Sequence, residues 1–274
     1  MKLTSVKAVY FSPNGATRTA VVRLARNLAD RLALPFSVID FTLPPAREKV
    51  YRFAEGELVV FGTPVMAGRV PNKMLPFVQS GFEGNGALAV PLVTFGNRAF
   101  DNALIELRNE LENNGFHTIG GAALAARHVF SPVIAPGRPD PDDWAGLEQF
   151  AEDLLAKLSA LDTVPPPVSV AGDDPVGPYY VPLGIDGQPT KFLKATPKTI
   201  PEQCDSCGVC VRLCPMAAID PADPKLVPGT CIKCQTCIKV CHSGAKYFDD
   251  PAFLSHVAML EANYTRRAEP AFFL

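Results

Sequence analysis

The chain has 274 residues, of which 47% are hydrophobic, and a formal net charge of -2 at pH 7. This length gives room for about two domains with a sizeable core, and the near-neutral charge lacks the basic footprint of nucleic-acid-binding proteins. No apolar run reaches the roughly 18 residues that a membrane span requires, and the first residues show no apolar segment followed by a cleavage site. We therefore expect a cytoplasmic protein that binds neither nucleic acid nor membrane.

Strand-like and helical patterns alternate over the N-terminal part of the chain. The strand candidates begin at Val6, Phe36, Glu57, Ala87 and Phe116. The helical patterns begin at Thr17, near Lys73, at Arg98 and at Asp142. Five strands that alternate with helices predict an α/β fold with a doubly wound parallel sheet. In such sheets ligands bind at the carboxyl ends of the strands.

The loop after the first strand reads FSPNGATRTA and predicts an anion-binding site. It combines hydroxyl groups, a glycine and the start of a helix, whose free N–H groups attract anions. The candidate residues are Ser12, Asn14, Gly15, Ala16 and Thr17. The loop matches neither the Rossmann nor the P-loop pattern. A hydroxyl-rich cradle without lysine resembles the phosphate loop of flavodoxins, which implies FMN, whereas a polar turn that only caps a helix is the alternative.

Two further loops follow the third and fourth strand candidates, and in flavodoxin-like proteins loops at these positions flank the isoalloxazine ring. The resemblance implies a first group of Thr63, Pro64, Val65, Met66, Ala67 and Gly68, and a second group of Phe95, Gly96, Asn97, Arg98, Phe100 and Asp101. Small residues would let backbone N–H groups approach the flavin, Phe95 or Phe100 would stack on it, and Arg98 would favour an anionic reduced ring. Met66 departs from the family, which often has an aromatic residue there.

The composition changes after residue 161 and again near residue 198. The segment 162–197 is rich in proline and glycine, as linkers are, and its first half, TVPPPVSVAGDDP, is expected to be loose. An Asp-Gly pair between strand-like runs predicts a hairpin at 179–195. We therefore predict four parts: a flavin domain at 1–161, the linker, a second domain at 198–250, and a C-terminal helix and tail at 251–274.

All eight cysteines lie between Cys204 and Cys241. A disulfide framework would spread through the fold, and a reducing cytoplasm would not maintain one, so the thiols are expected to bind metal. Structural zinc sites use pairs of cysteines in sets of four. A third cysteine two residues further on suits a 4Fe-4S cluster instead, with zinc or free thiols as the alternatives.

The run CDSCGVCVRLCP and its repeat CIKCQTCIKVC resemble a bacterial-type two-cluster ferredoxin, a small α+β domain, over about residues 198–250. The resemblance implies that the fourth cysteine of each run ligates the other cluster. One cluster would take Cys204, Cys207, Cys210 and Cys241, and the other Cys231, Cys234, Cys237 and Cys214. Two departures are Gln235, where the first run has Gly208, and His242, where the first run has proline. His242 is read either as a solvated surface residue or as a ligand or proton-coupled group.

Taken together, these segments resemble flavodoxin-ferredoxin fusion proteins, a family known mostly from anaerobes. The resemblance implies an electron-transfer protein that exchanges electrons between FMN and two 4Fe-4S clusters and meets redox partner proteins. A flavin-dependent reductase with the clusters as its electron port is one alternative, in which His117 or His128 would supply protons, and a redox sensor is another. The helical face of the tail predicts either core packing or self-association in a homodimer. This face comprises Phe253, Leu254, Val257 and Leu260.

Overall fold

The computed structural model describes residues 2–274 and shows a parallel sheet in the N-terminal part of the chain. The strands of this part are β1 Ser5–Tyr10, β2 Phe36–Asp40, β3 Tyr51–Arg52, β4 Glu57–Pro64, β5 Phe82–Glu83, β6 Leu88–Phe95, β7 His117–Thr118 and β8 Gly121–Ala125. The five long strands are parallel and lie in the order β2-β1-β4-β6-β8. This is the strand order of flavodoxin-like folds, so the predicted fold class is confirmed.

Four helices cover the two faces of this sheet: α1 Ala16–Leu32, α2 Leu75–Ser80, α3 Ala103–Asn113 and α4 Pro141–Ser159. Side chains alternate along β4, with Leu58 and Val60 packing on the α1/α4 side and Val59 and Phe61 on the α2/α3 side. Because both faces are covered, the strand is apolar and buried from Leu58 to Phe61, as parallel strands are. None of the helices within residues 2–274 combines the length and apolar character needed to cross a bilayer.

The second domain is small and contains little regular structure. Its elements are β9 Lys198–Thr199, α5 Val209–Arg212, α6 Thr236–Lys239 and β10 Lys246–Tyr247. Strands β9 and β10 pair antiparallel and close the two ends of the cysteine-containing segment against each other. The two single-turn helices each begin inside a cysteine run, so the predicted α+β character is confirmed.

The C-terminal segment returns to the first domain. Helix α7, Pro251–Asn263, is followed by β11, Ala271–Phe273, which pairs antiparallel with β8 and adds a sixth strand to the predicted five. Phe253 and Leu260 of the predicted face are buried, but Leu254 is 46% exposed. The helix thus packs on the protein's own core through part of the predicted face, and the homodimer stays a prediction.

The segment predicted to be a loose linker packs on the first domain instead. Val168 is buried and its N–H donates to the carbonyl of Thr118 at 3.2 Å. Further on, the N–H of Asp173 donates to the side chain of Asn102 at 2.7 Å. The expectation of a loose start is therefore wrong, because the valines between the prolines bury apolar surface. The hairpin is shorter than predicted, with a single antiparallel bridge between Leu183 and Pro189.

Candidate functional site

The eight cysteines gather in two groups of four around two cavities. The first cysteine set lines a cavity of about 320 Å³, including its open mouth, and comprises Cys204, Cys207, Cys210 and Cys241. The second cysteine set lines a cavity of about 380 Å³ and comprises Cys214, Cys231, Cys234 and Cys237. Each set takes three thiols from one run and the fourth from the other. This is the crossed arrangement that the ferredoxin resemblance implied.

The two cysteine runs share one backbone conformation. The residue two places after the first cysteine is left-handed in both runs, with φ 57° at Ser206 and φ 58° at Lys233. The residue after the second cysteine is left-handed too, with φ 71° at Gly208 and φ 64° at Gln235. Such residues turn the chain sharply, so that successive thiols point into one cavity. Gln235 thus occupies a position that favours glycine, and the first run has Gly208 at the same place.

The environment of the thiols fits a metal-thiolate cluster. The N–H groups of Ala218 and Lys233 donate to the sulfurs of Cys214 and Cys231, both at 3.3 Å. Such donors stabilise negative charge on sulfur. Burial raises the pKa of the Cys237 thiol to about 12, so without a cation this group is a neutral thiol at pH 7. Bound metal ions remove that penalty, because a coordinated thiol is deprotonated.

The mouth of the first cysteine set faces solvent. Cys207 is exposed, and beside it Nε2 of His242 lies 3.0 Å from a carboxylate oxygen of Asp205. Both side chains of this pair are more than half exposed. The other carboxylate oxygen of Asp205 accepts from the N–H of Cys207, a bond that lowers the pKa of Asp205. His242 does not line the cavity, so its position agrees with the interpretation as a surface residue.

The second cysteine set lies against the first domain, at the loop that follows β1. The side-chain amide of Asn14 donates to the carbonyl of Cys234. The hydroxyl of Thr236 donates to the carbonyl of Pro13 at 3.0 Å, and Nζ of Lys239 donates to the carbonyl of Asn14 at 2.8 Å. Three hydrogen bonds therefore join the predicted phosphate loop to the second cysteine run.

Arg47 makes a further link between the domains, from the turn that follows β2. Its guanidinium donates to the carbonyls of Phe41 at 2.9 Å and Thr42 at 2.6 Å, and to the carbonyl of Pro215 at 2.5 Å. Pro215 directly follows Cys214 of the second set. Sequence reasoning missed Arg47, Thr236 and Lys239, because a cation or hydroxyl between other polar residues carries no pattern that indicates a distant partner.

The predicted phosphate loop presents unpaired backbone donors. Among the residues that the structure describes, the N–H groups of Asn14, Gly15, Ala16 and Thr17 have no acceptor. Ser12 Oγ accepts a hydrogen bond of 2.9 Å from the N–H of Arg18 in the first turn of α1. The Thr17 hydroxyl is buried and shares a 2.7 Å hydrogen bond with Thr94. The loop therefore suits an anion through its backbone, and the Thr17 side chain already has a protein partner.

The loop after β4 offers one unpaired polar atom. Thr63 is fully buried and its hydroxyl has no hydrogen-bond partner within residues 2–274. Pro64, Val65 and Met66 are half-buried. Gly68 has φ 77°, and a Cβ there would lie 2.3 Å from the Asp101 carboxylate. A side chain at position 68 would therefore collide with Asp101, which accounts for the glycine. The neighbouring Ala67 is exposed.

The loop after β6 is covered by protein more fully than expected. Phe95 is a core residue with 4% exposure, so its ring is unavailable for stacking, and Phe100 is half-buried 5.5 Å away. Asn97 is buried and donates to the carbonyls of Tyr264 and Arg266, both at 2.7 Å. Asn97 therefore anchors the C-terminal segment, which the sequence did not indicate.

Arg98 and Gly96 also have protein partners. The Arg98 guanidinium pairs with Asp101 and lies 4.1 Å from the ring centroid of Tyr180. A Cβ at Gly96 would lie 2.4 Å from the ring of His128, so this glycine admits the histidine. The positive charge of Arg98 is thus already balanced by a carboxylate. The residues still placed to contact a flavin are the half-buried ones, with Met66 and Phe100 as the large apolar groups.

The donor set of these three loops fits FMN. Four backbone N–H groups suit its phosphate, and the unpaired Thr63 hydroxyl suits a polar group of the ring or ribityl chain.

Comparison with known protein families identifies part of the second domain. Residues 197–220 match the family model of a 4Fe-4S binding domain. The chain joins a flavodoxin-like domain to a 4Fe-4S ferredoxin-type domain. The flavodoxin-like assignment depends on the strand order described above.

Solved structures similar to the first domain include two flavodoxins and an NADH:FMN oxidoreductase. One flavodoxin, from the domain Archaea, is 15% identical and covers 58% of this chain and 99% of its own, with a TM-score of 0.39. A flavodoxin of Streptococcus pneumoniae TIGR4 is 21% identical and covers 55% and 97%, with a TM-score of 0.39. An NADH:FMN oxidoreductase in its apo form is 18% identical and covers 59% and 93%, with a TM-score of 0.41. A comparison with curated proteins finds no match.

Proposed function

We propose that the protein carries electrons between FMN in the first domain and two 4Fe-4S clusters in the second. The observation that carries this proposal is the gathering of eight thiols into two crossed sets of four, one of which touches the predicted phosphate loop. Crossed sets are the ligand pattern of two-cluster ferredoxins, and they account for every cysteine in the chain.

The protein's part in this function is to hold, orient and shield the cofactors. The cysteine sets supply thiolates, and N–H groups such as that of Lys233 stabilise charge on sulfur. The loops that begin at Ser12, Thr63 and Phe95 would hold FMN. When bound, each cluster supplies single-electron chemistry and FMN accepts one or two electrons. Electron exchange of this kind requires no protein acid or base.

The histidines of the first domain favour a carrier over a reductase. Burial lowers the pKa of His128 to about 4, and its Nδ1 accepts from the N–H of Phe130 at 3.1 Å. A buried neutral imidazole of this kind is a poor proton donor at pH 7. His117 lies on the short strand β7, which pairs with β6 at Leu88, near the start of that strand. Neither histidine is arranged as the reductase alternative requires.

Cofactor analysis of anaerobically purified protein tests the proposal. Two clusters predict about eight irons and eight sulfides per chain, together with one non-covalent FMN. Stoichiometric zinc without acid-labile sulfide would overturn the cluster assignment. A chain that holds both clusters but takes up no FMN would overturn the flavin assignment.

The crossed pairing has its own test in a matched pair of variants. Cys214→Ala should damage the cluster held by the second run, and Cys241→Ala should damage the cluster held by the first. Electron paramagnetic resonance (EPR) of the reduced protein, with iron analysis, distinguishes the two losses. If each variant instead damaged the cluster of its own run, the pairing would be wrong.

A further inference from the structure

The two cysteine sets differ in what covers them. The second set is adjacent to the first domain. Cys234, Thr236 and Lys239 form hydrogen bonds with the loop after β1, and the carbonyl of Pro215 accepts a hydrogen bond from Arg47. Apolar contact adds to these bonds, since Met216 and Ile232, which line the second cavity, pack against the core of the first domain. These contacts lie at the carboxyl ends of β1 and β2, where doubly wound sheets bind their ligands.

The first set has no comparable cover. None of the hydrogen bonds between the two domains involves a residue that lines its cavity within residues 2–274. Its Cys207 is exposed, and the Asp205–His242 pair at its mouth is open to solvent. A small carrier or a protein partner can therefore approach this set without moving another part of the chain.

We propose that the second cysteine set is the inner station, which exchanges electrons with the first domain, and that the first set is the outer station, which exchanges electrons with an outside partner. This inference rests on the proposed function. In the inward direction, a low-potential one-electron donor is oxidised and the outer cluster is reduced by one electron. The outer cluster would then be reoxidised as the inner cluster is reduced, and the inner cluster would be reoxidised as FMN takes up the electron. Two such passages supply the two electrons of fully reduced FMN, whose protons come from solvent.

A direct hydrogen bond to the predicted phosphate loop places the second cysteine set next to the first domain. Cys234 belongs to the second set and its carbonyl accepts directly from Asn14, one residue before the left-handed Gly15 that begins the loop's turn into α1. A single hydrogen bond thus separates a ligand residue from the cradle. No residue of the first set has such a contact, so its only open approach is from solvent.

Accessibility to a soluble paramagnetic complex tests this order without measuring turnover. The experiment uses full-length holoprotein, reduced anaerobically, with chelated dysprosium as the probe, whose effect on EPR relaxation falls steeply with distance. Cys234→Ser should leave the first-set cluster as the unaltered signal, and Cys207→Ser the second-set cluster. We expect dysprosium to enhance relaxation of the first-set cluster several-fold more than that of the second. Equal enhancement, or the reverse order, would overturn the inference.

A second pair of variants keeps the test decisive if a cysteine variant does not fold. Arg47→Met opens the interface without touching a thiol, whereas Arg52→Met removes an exposed ion pair on the same domain. Arg47→Met should raise the dysprosium effect only on the signal that dysprosium affects less in the wild-type protein. Arg52→Met should change neither signal. If Arg47→Met changed only the signal already accessible, the assignment of inner and outer sets would be wrong. Iron or FMN deficiency in the wild-type protein would instead contradict the proposed function.

Discussion

Arg47→Met should loosen the second domain from the first. The guanidinium holds the carbonyls of Phe41, Thr42 and Pro215 together, and burial lowers its pKa below the ordinary arginine value. Hydrogen bonds to a charged group contribute about 1.5 to 3 kcal/mol each. Only the bond to Pro215 joins the two domains, and the group is partly exposed, so we expect the second domain to lose about 1 to 2 kcal/mol.

Urea unfolding of anaerobic holoprotein measures this loss with one probe for each domain. Fluorescence of Trp144, the single tryptophan, reports on the first domain, and cluster absorbance reports on the second. At an m-value of about 2 kcal/mol/M, the cluster transition should move down by about 0.5 to 1 M and separate from the tryptophan transition. Arg52→Met is the control, because its ion pair with Glu83 is exposed and contributes about 0 to 1 kcal/mol. Equal shifts in the two variants would refute the assignment of Arg47 as an interdomain clamp.

Three further variants test local features of the structure. Gln235→Gly should raise the apparent melting temperature, because relief of about 1 to 2 kcal/mol of left-handed strain exceeds the entropy cost of glycine. Gly208→Ala should lower the melting temperature for the same reason. Equal effects of the two variants would contradict this. Glu106→Gln should cost about 3 to 5 kcal/mol in urea unfolding, since it breaks the buried pair with Arg69; a loss under 1 kcal/mol would contradict it. Burial lowers the pKa of His128 from 6.5 to about 4, so the unfolded chain binds the proton at a higher pH than the folded chain does. The free energy of unfolding should therefore fall by about 3 kcal/mol as the pH is lowered from 6.5 to 4. His128→Gln should remove this pH dependence.

The features predicted correctly from sequence depend on local pattern. Strands β4 and β6 are long runs of buried, mostly apolar residues that lie between turn residues, so neighbouring residues suffice to identify them. The cysteine runs are similarly explicit, because spacing alone restricts which thiols share a cavity.

The features that sequence did not predict depend on contacts between distant residues. Asn97 follows a strand end at which flavin contacts are expected, yet its side chain binds the segment after α7, about 170 residues away. Val168 lies among prolines in a composition typical of linkers, yet it is buried and its N–H donates to the carbonyl of Thr118 in β7. Such partners leave no periodic pattern, so the sequence did not indicate these contacts.

The return of the chain to its first sheet changes how the two domains are connected. Strand β11, which follows the second domain in the sequence, pairs with β8 from Ala271 to Phe273. Val168, which precedes the second domain, is buried against the first domain. A flexible linker would raise the effective concentration of one domain near the other to about the millimolar range. Here both flanking segments are packed, and Arg47 and Asn14 contact the second cysteine run directly. The distance between that run and the phosphate loop is therefore set by packing, so electron exchange between the domains should not depend on protein concentration.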